Sequence, residues 1–252
     1  MRLPIPIWCI VIVVVVSVAD LAQAGAILTT ADGNGADTYL SNDGQSASEG
    51  PDGTHGSAGS LVVRNFAGTR MKMAYVRFDL TGVEGDLSNA VLAYDILSTG
   101  NRDRTWDVYG LNDGVTGEDW SEATTSYNNA PGVIPNPPTE LAQFDIDETE
   151  ITLLGTIGMI GSGAQVLRSD NSEADTSLNL NAFLVADTND LVTFLLINNT
   201  SDSNASYSIA GKENTTAGVL FPTLELPNAI PEPASLSLLA LAGAGLLRRH
   251  RQ

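Results

Sequence analysis

Short runs in which apolar and polar residues alternate recur along the chain between residues 36 and 226, and clusters of Gly, Asn, Asp and Pro separate them. Alternation with a period of two, bounded by turn residues, is typical of β-strands. Because no long segment has helical periodicity, the pattern predicts an all-β protein with an antiparallel β-sandwich. The predicted strands are 60–64, 74–80, 90–97, 105–111, 191–197, 207–210 and 220–226.

Two segments depart from this pattern. Residues 178–186 are predicted to form a short helix before the strand 191–197. Residues 153–163 are apolar, rich in Gly and uncharged, and they fit either a strand and turn or a loop lying on the sandwich. No repeat of about 20 to 50 residues is evident, which argues against solenoids and propellers.

The N-terminus has the features of an export signal. Arg2 precedes the apolar run 5–18, and Ala22-Gln23-Ala24 supplies a small-x-small cleavage site for signal peptidase. These features predict a secretory signal peptide over residues 1–24. The alternative, a retained membrane anchor, is disfavoured because the apolar run is shorter than the roughly 20 residues that span a bilayer.

The C-terminus places Pro231-Glu232-Pro233 before an apolar stretch, 236–247, and a basic end that begins with Arg248 and Arg249. An apolar helix followed by basic residues predicts transient membrane anchoring with the basic end in the cytoplasm. This order resembles the PEP-CTERM sorting signal of bacterial exported proteins. The resemblance implies that an exosortase removes the tail, residues 229–252, and leaves the protein at the cell surface or in the extracellular matrix.

Several segments of the body, residues 25–228, together resemble the DNRLRE domain family. They are 36–40, 56–63, 75–80, 119–131, 211–213 and 222–226. The resemblance implies a secreted, jelly-roll-like β-sandwich of a kind found beside polysaccharide-active enzymes, with some relatives that are carbohydrate-binding modules.

Charge and cysteine content narrow the possible functions. Residues 25–229 contain 8 basic and 28 acidic side chains. This balance argues against nucleic-acid binding, which needs clustered Lys and Arg. The single Cys, Cys9, lies in the N-terminal apolar run. The body therefore has no thiol for a disulfide, a thiol-based active site or a Cys-ligated metal.

The run 119–131 supplies the candidate binding aromatics, Trp120 and Tyr127. An aromatic face can stack on the apolar C–H face of a sugar ring. The favoured alternative is structural: Trp120 fills the core and its indole N–H donates to a backbone carbonyl, while neighbouring polar residues hold the loop.

Most basic residues of the body fall between positions 64 and 104. Arg77, in a predicted strand with alternating polar and apolar residues, is expected to pair with a carboxylate such as Glu213 or Asp79. Arg102 and Arg104 are the candidates for a cationic sugar site, although a solvated face that balances nearby acids is favoured. The group comprises Arg64, Arg70, Lys72, Arg77, Arg102 and Arg104.

The loop that contains Asp32, Asn34 and Asp37 is the candidate Ca²⁺ site. Ca²⁺ prefers about six to eight oxygen ligands from carboxylates, amides and carbonyls. The loop is not an EF-hand, because its sixth position is Asp37 rather than Gly and its twelfth is Asp43 rather than Glu.

The sequence predicts a non-enzymatic protein. His55 is the only His of the body and no G-x-S-x-G motif lies near it. Paired carboxylates could hydrolyse a glycoside, but with so many acidic residues no particular pair indicates an active site.

The favoured function is binding or organising exopolysaccharide. The alternatives are a matrix protein that associates through protein contacts and Ca²⁺, and a polysaccharide hydrolase or lyase.

Overall fold

The computed structural model describes residues 25–43, 48–66, 70–98, 104–135, 145–159, 165–169, 178–199 and 206–231. These residues form thirteen strands and one short helix. In chain order they are β1 Ala26–Thr29, β2 Ala36–Asp43, β3 Ser60–Phe66, β4 Arg70–Asp79, β5 Val83–Gly85, β6 Val91–Ser98, β7 Arg104–Leu111, β8 Ile151–Met159, β9 Gln165–Arg168, α1 Leu180–Ala186, β10 Leu191–Asn198, β11 Ser206–Ala210, β12 Thr223–Leu226 and β13 Ala229–Pro231.

Eleven of the described strands form one curled antiparallel sheet in the order β1-β12-β6-β11-β3-β4-β10-β7-β8, with β2 also pairing β4 and β9 also pairing β6. Strand β4 is the branch point. Its first residues pair with β3, residues 74–79 pair with β10, and β2 runs along residues 70–77. The predicted antiparallel β fold is therefore confirmed at the level of strand type and pairing.

Central strands of the sheet are buried on both faces. In β4, Val76 and Phe78 belong to one apolar cluster while Tyr75 belongs to another. Strand β10 divides in the same way, with Phe194 in the first cluster and Leu195 in the second. Because neighbouring side chains of a strand face opposite sides, the two clusters lie on opposite faces of the sheet. We call them the main cluster and the second cluster.

A bulge in β8 lies next to the helix α1. The register of β8 against β7 shifts so that Tyr109 pairs with Leu153 and Val108 pairs with Gly155. Leu154 is the extra residue, and it is buried in the main cluster. Bulges locally change the direction in which side chains leave a strand. Here Thr152 and Leu153 are both exposed next to buried Leu154.

The last described strand joins the end of the body to β5. Ala229 pairs with Gly85 and Pro231 pairs with Val83 in a separate two-stranded sheet. The remaining sorting residues, Glu232, Pro233, Arg248 and Arg249, lie outside the described residues, as does the predicted signal peptide. Within the described ranges, no helix has the length and apolar character needed to cross a bilayer.

The strand predictions agree with the structure at most positions. The seven predicted segments coincide with or overlap β3, β4, β6, β7, β10, β11 and β12, and the predicted helix coincides with α1. Residues 153–159 of the unplaced segment belong to the strand Ile151–Met159, and residues 160–163 lie outside the described residues. No strand was predicted at 36–43, because all eight residues of β2 are buried although five of them are polar.

Candidate functional site

Arg77 fixes the position of two loops at the end of β4. Its Nε donates to the Asn34 carbonyl at 2.9 Å, and its Nη1 donates to the carbonyls of Glu118 at 3.2 Å and Trp120 at 2.8 Å. The sequence predicts a carboxylate partner such as Glu213 or Asp79, whereas these hydrogen bonds of the Arg77 guanidinium go to backbone carbonyls. A planar guanidinium can serve several acceptors at once, and here it joins the loop around residue 34 to the loop around residue 119.

Trp120 and Tyr127 lie in the second cluster. Only 5% of Trp120 is exposed, and its indole N–H donates to Thr193 Oγ1 at 3.1 Å rather than to a backbone carbonyl. Tyr127 is completely buried, and its hydroxyl accepts from the Asp145 N–H at 3.1 Å. Burial also raises the pKa of Tyr127 to about 12. In this arrangement neither ring presents an open face on which a sugar could stack.

Two members of the basic group, Arg64 and Lys72, are paired with acids. Lys72 is buried and forms an ion pair with Glu49. An Arg64 nitrogen lies 3.8 Å from the Asp43 carboxylate. Arg102 lies outside the described residues, and Arg104 is described only through its backbone at the start of β7.

The side chains of the candidate Ca²⁺ loop each bind different partners. Asp32 accepts from Thr29 through its backbone N–H and its hydroxyl, at 2.7 and 2.8 Å. The Asn34 amide donates to Asp79 at 3.0 Å. Asp37 accepts from the Thr30 hydroxyl at 2.6 Å. These bonds brace the loop within the fold, and a Ca²⁺ site here stays a prediction.

A shallow cleft of about 370 Å³ lies between the two loops that Arg77 joins. Lys212 crosses it, with its ammonium 2.5 Å from Glu122 Oε1. The same carboxylate oxygen accepts from the Asp37 N–H at 2.6 Å, and the Lys212 N–H donates to Asp37 at 2.9 Å. We call this the Lys212 cleft. It brings together three segments that carried the DNRLRE resemblance, around residues 36, 120 and 212.

A deeper groove of about 290 Å³ lies between α1 and the adjoining ends of β7 and β8. Leu154 and Phe183 contribute apolar surface, and Asn112, Asn179 and Asp187 contribute polar groups. We call this the α1 groove. Sequence reasoning missed it because its two sides are far apart in the chain and only α1 packing on β7 brings them together.

Three carboxylates meet at one end of the α1 groove. Asp113, Glu118 and Asp187 each place an oxygen within 4.8 Å of the others. Glu118 accepts from the Gly114 N–H at 3.0 Å and from the Asn189 amide at 2.7 Å. Asp187 Oδ1 is buried and has no hydrogen-bond partner among the described residues. Burial, with the nearby negative charges, raises the pKa of Asp187 to about 6.

A search of curated proteins finds no match to the chain. Two family models do match it. Residues 32–151 match carbohydrate-binding module family 96, and this range contains the two loops of the Lys212 cleft and the β7 side of the α1 groove. Residues 229–252 match the PEP-CTERM protein-sorting motif. The chain is therefore similar to carbohydrate-binding module family 96 over residues 32–151 and to the PEP-CTERM sorting motif over residues 229–252.

Proposed function

We propose that this protein is exported, processed by an exosortase, and held at the bacterial cell surface or in the matrix, where its body binds exopolysaccharide without cleaving it. The observation that carries the proposal is the match of residues 32–151 to carbohydrate-binding module family 96. Modules of this kind bind glycans and are not catalytic.

The two ends of the chain define the route. The signal peptide over residues 1–24 directs export, and the sorting motif at 229–252 directs removal of the tail. Pro231, Glu232 and Pro233 form the recognition element, while Arg248 and Arg249 stop the apolar tail in the membrane until cleavage. The exported body is residues 25–228, with the DNRLRE-like, jelly-roll β-sandwich as its fold.

The charge of the body restricts the glycan. With 28 acidic and 8 basic side chains, residues 25–229 carry a strongly negative surface. A uronate polymer is repelled wherever it approaches within about 8 Å, the Debye length at physiological salt. We therefore expect a neutral glycan, or an anionic glycan only when Ca²⁺ bridges the two surfaces.

Affinity electrophoresis of the full-length protein tests this function. The gels contain a neutral polymer, either galactomannan or hydroxyethylcellulose, or they contain polygalacturonate, each with Ca²⁺ and with chelator. We expect retardation in a neutral polymer and an unchanged mobility in polygalacturonate with chelator. Migration unchanged in every polymer would contradict carbohydrate binding, and release of soluble sugar would identify a hydrolase or lyase instead.

The predicted role of Arg102 and Arg104 is tested in the same gels. If these residues form a cationic sugar site, polygalacturonate retards the protein in chelator, and Arg102→Ala/Arg104→Ala abolishes that retardation. The expected result under the neutral-glycan proposal is that the double variant migrates like the wild type in every polymer.

A further inference from the structure

The α1 groove exists because β7 and α1 approach each other closely. Phe183 lies against Gly110, where a Cβ would be 2.4 Å from the Phe183 ring. The Phe183 ring centroid is also 5.5 Å from that of Phe194 in β10. These contacts hold one side of the helix on the sheet, and exposed Ala182 and Ala186 border the groove.

The β8 bulge shapes the opposite side. Leu154 turns into the main cluster, while Leu153 remains 54% exposed at the edge of the groove. The groove thus combines a fixed apolar surface with an exposed apolar edge. Its volume of about 290 Å³ is close to the lower limit of roughly 300 Å³ for small-molecule sites. This size suits one monosaccharide unit better than a long stretch of chain.

Polar groups with unused hydrogen-bonding capacity border this apolar surface. Asn179 is exposed and its side chain makes no capping bond to α1, although its backbone N–H donates to the Leu154 carbonyl at 2.8 Å. Asp187 lines the same groove, and its Oδ1 is a buried acceptor without a hydrogen-bond partner among the described residues. A sugar offers both kinds of surface, because its hydroxyls donate and accept while its C–H groups are apolar.

We infer that the α1 groove holds one neutral sugar unit of the bound glycan, with Leu153 and Phe183 against its C–H face and Asn179 and Asp187 bonded to its hydroxyls. This inference rests on the proposed carbohydrate binding. Asp113, Glu118 and Asp187 place three carboxylates at one end of the groove. A uronate or sulfated unit would therefore be repelled, whereas a hydroxyl can donate to these oxygens.

The Lys212 cleft fits a sugar less well. It is more open than the α1 groove, and its charged groups are already paired, with Lys212 bonded to Glu122 and Arg77 bonded to three backbone carbonyls. Trp120, the only aromatic residue among those that line it, is 5% exposed. These contacts fit a role in joining loops.

The test places a bulky side chain in the α1 groove or in the Lys212 cleft. Binding of the full-length protein is then measured in galactomannan and hydroxyethylcellulose gels. Ala182→Phe adds a ring in the α1 groove. Val185→Phe is the matched control, because Val185 is 65% exposed on the same helix and does not line the groove. Ser121→Phe adds the same ring in the Lys212 cleft.

We expect Ala182→Phe to weaken binding at least tenfold, while Val185→Phe and Ser121→Phe stay within about twofold of the wild type. Asn179→Ala, which removes an exposed side chain that makes no cap bond, is expected to weaken binding several-fold at an unchanged melting temperature. This second variant separates loss of the site from loss of folding.

The inference is overturned if Ala182→Phe and Asn179→Ala bind like the wild type, or if Ser121→Phe alone abolishes binding. In both cases the wild-type protein still binds, so the proposed function stands and only the site is wrong. A wild type that no polymer retards overturns the function and the site together.

Discussion

Phe183 of α1 lies so close to Gly110 of β7 that a Cβ on the glycine would be 2.4 Å from the aromatic ring. The close approach is a steric requirement for Gly at this position. A methyl group added at residue 110 would therefore push against α1 and change the shape of the α1 groove.

Gly110→Ala is therefore expected to destabilise the protein by about 1 to 3 kcal/mol, the usual cost of overpacking a close contact. Denaturant unfolding measures the change. Gly59→Ala is the matched control, because the nearest atoms to its added Cβ are 3.5 Å away, which is ordinary contact. Equal stability for the two variants would show that α1 adjusts freely to the extra methyl group.

Trp120→Ala is expected to damage folding rather than binding. Truncation of a buried Trp commonly costs about 3 to 5 kcal/mol through lost burial and the cavity that remains. Thr193→Val is a milder companion that removes the acceptor of the indole N–H, at a cost of about 1 to 3 kcal/mol. If Trp120→Ala keeps its melting temperature and loses glycan retention, Trp120 stacks on the sugar and is not a core residue.

Arg77→Lys is expected to lower the free energy of unfolding by about 1 to 3 kcal/mol, since an ammonium cannot reproduce the planar fork that bonds three carbonyls. Arg64→Lys is the control. Its partner Asp43 is 3.8 Å away and the Arg64 side chain is partly exposed, so the loss should be about 0 to 1 kcal/mol. A stable Arg77→Lys variant would mean that the two loops hold together without the guanidinium.

Asp187→Asn is expected to raise the melting temperature at pH 7 more than at pH 4. The pKa of Asp187 is raised from 3.8 to about 6, so the folded protein holds a proton that the unfolded chain releases between these values. The contribution of Asp187 to stability therefore falls as pH rises from about 4 to 6. The charges around it are Asp113, Glu118 and Asp190.

Asp86→Asn is the control for this experiment, because the pKa of Asp86 is shifted in the opposite direction. Hydrogen bonds from Ser88 lower the pKa of Asp86, so its charged form is favoured in the folded state and its replacement should not stabilise the protein at pH 7. Thermal unfolding of both variants and the wild type at the two pH values supplies the comparison. A uniform shift of Asp187→Asn at both values would contradict the raised pKa.

The mature protein is expected to lack both termini. Cleavage after Ala24 and near Pro231 would leave a product that starts near Gly25 and ends close to the Pro-Glu-Pro element. Intact-mass measurement of surface or secreted material checks both ends. A product that retains Arg248 to Arg251 would show that the tail is not removed.

Strands with regular alternation could be predicted from sequence, because one apolar face is enough to reveal them. Strand β2 could not, since Asp37, Thr38 and Ser41 are buried polar residues that hide the alternation. Asp37 takes its bonds from Thr30 and from Lys212, which is 175 positions away. A local pattern contains no information about partners at such separation.

The candidate site residues show the same limit. Trp120 could be identified as either a core residue or a stacking residue, and the sequence could not decide because both functions use the same side chain. The α1 groove gave no signal at all. Asp113 and Asp187 are brought together by the Thr188 hydroxyl, which donates to Asp113 at 2.7 Å, and by the packing of a seven-residue helix on β7.

The pairing of β13 with β5 holds residues 229–231, the last that the structure describes, against residues 83–85. Val83 and Gly85 of β5 share a small cavity with Leu184 and Val185 of α1, and the other side of α1 borders the groove. The helix α1 therefore lies between the α1 groove and the C-terminal end of the described body. Under the proposed function, a glycan bound in the α1 groove would lie one helix away from the residues that lead into the sorting tail.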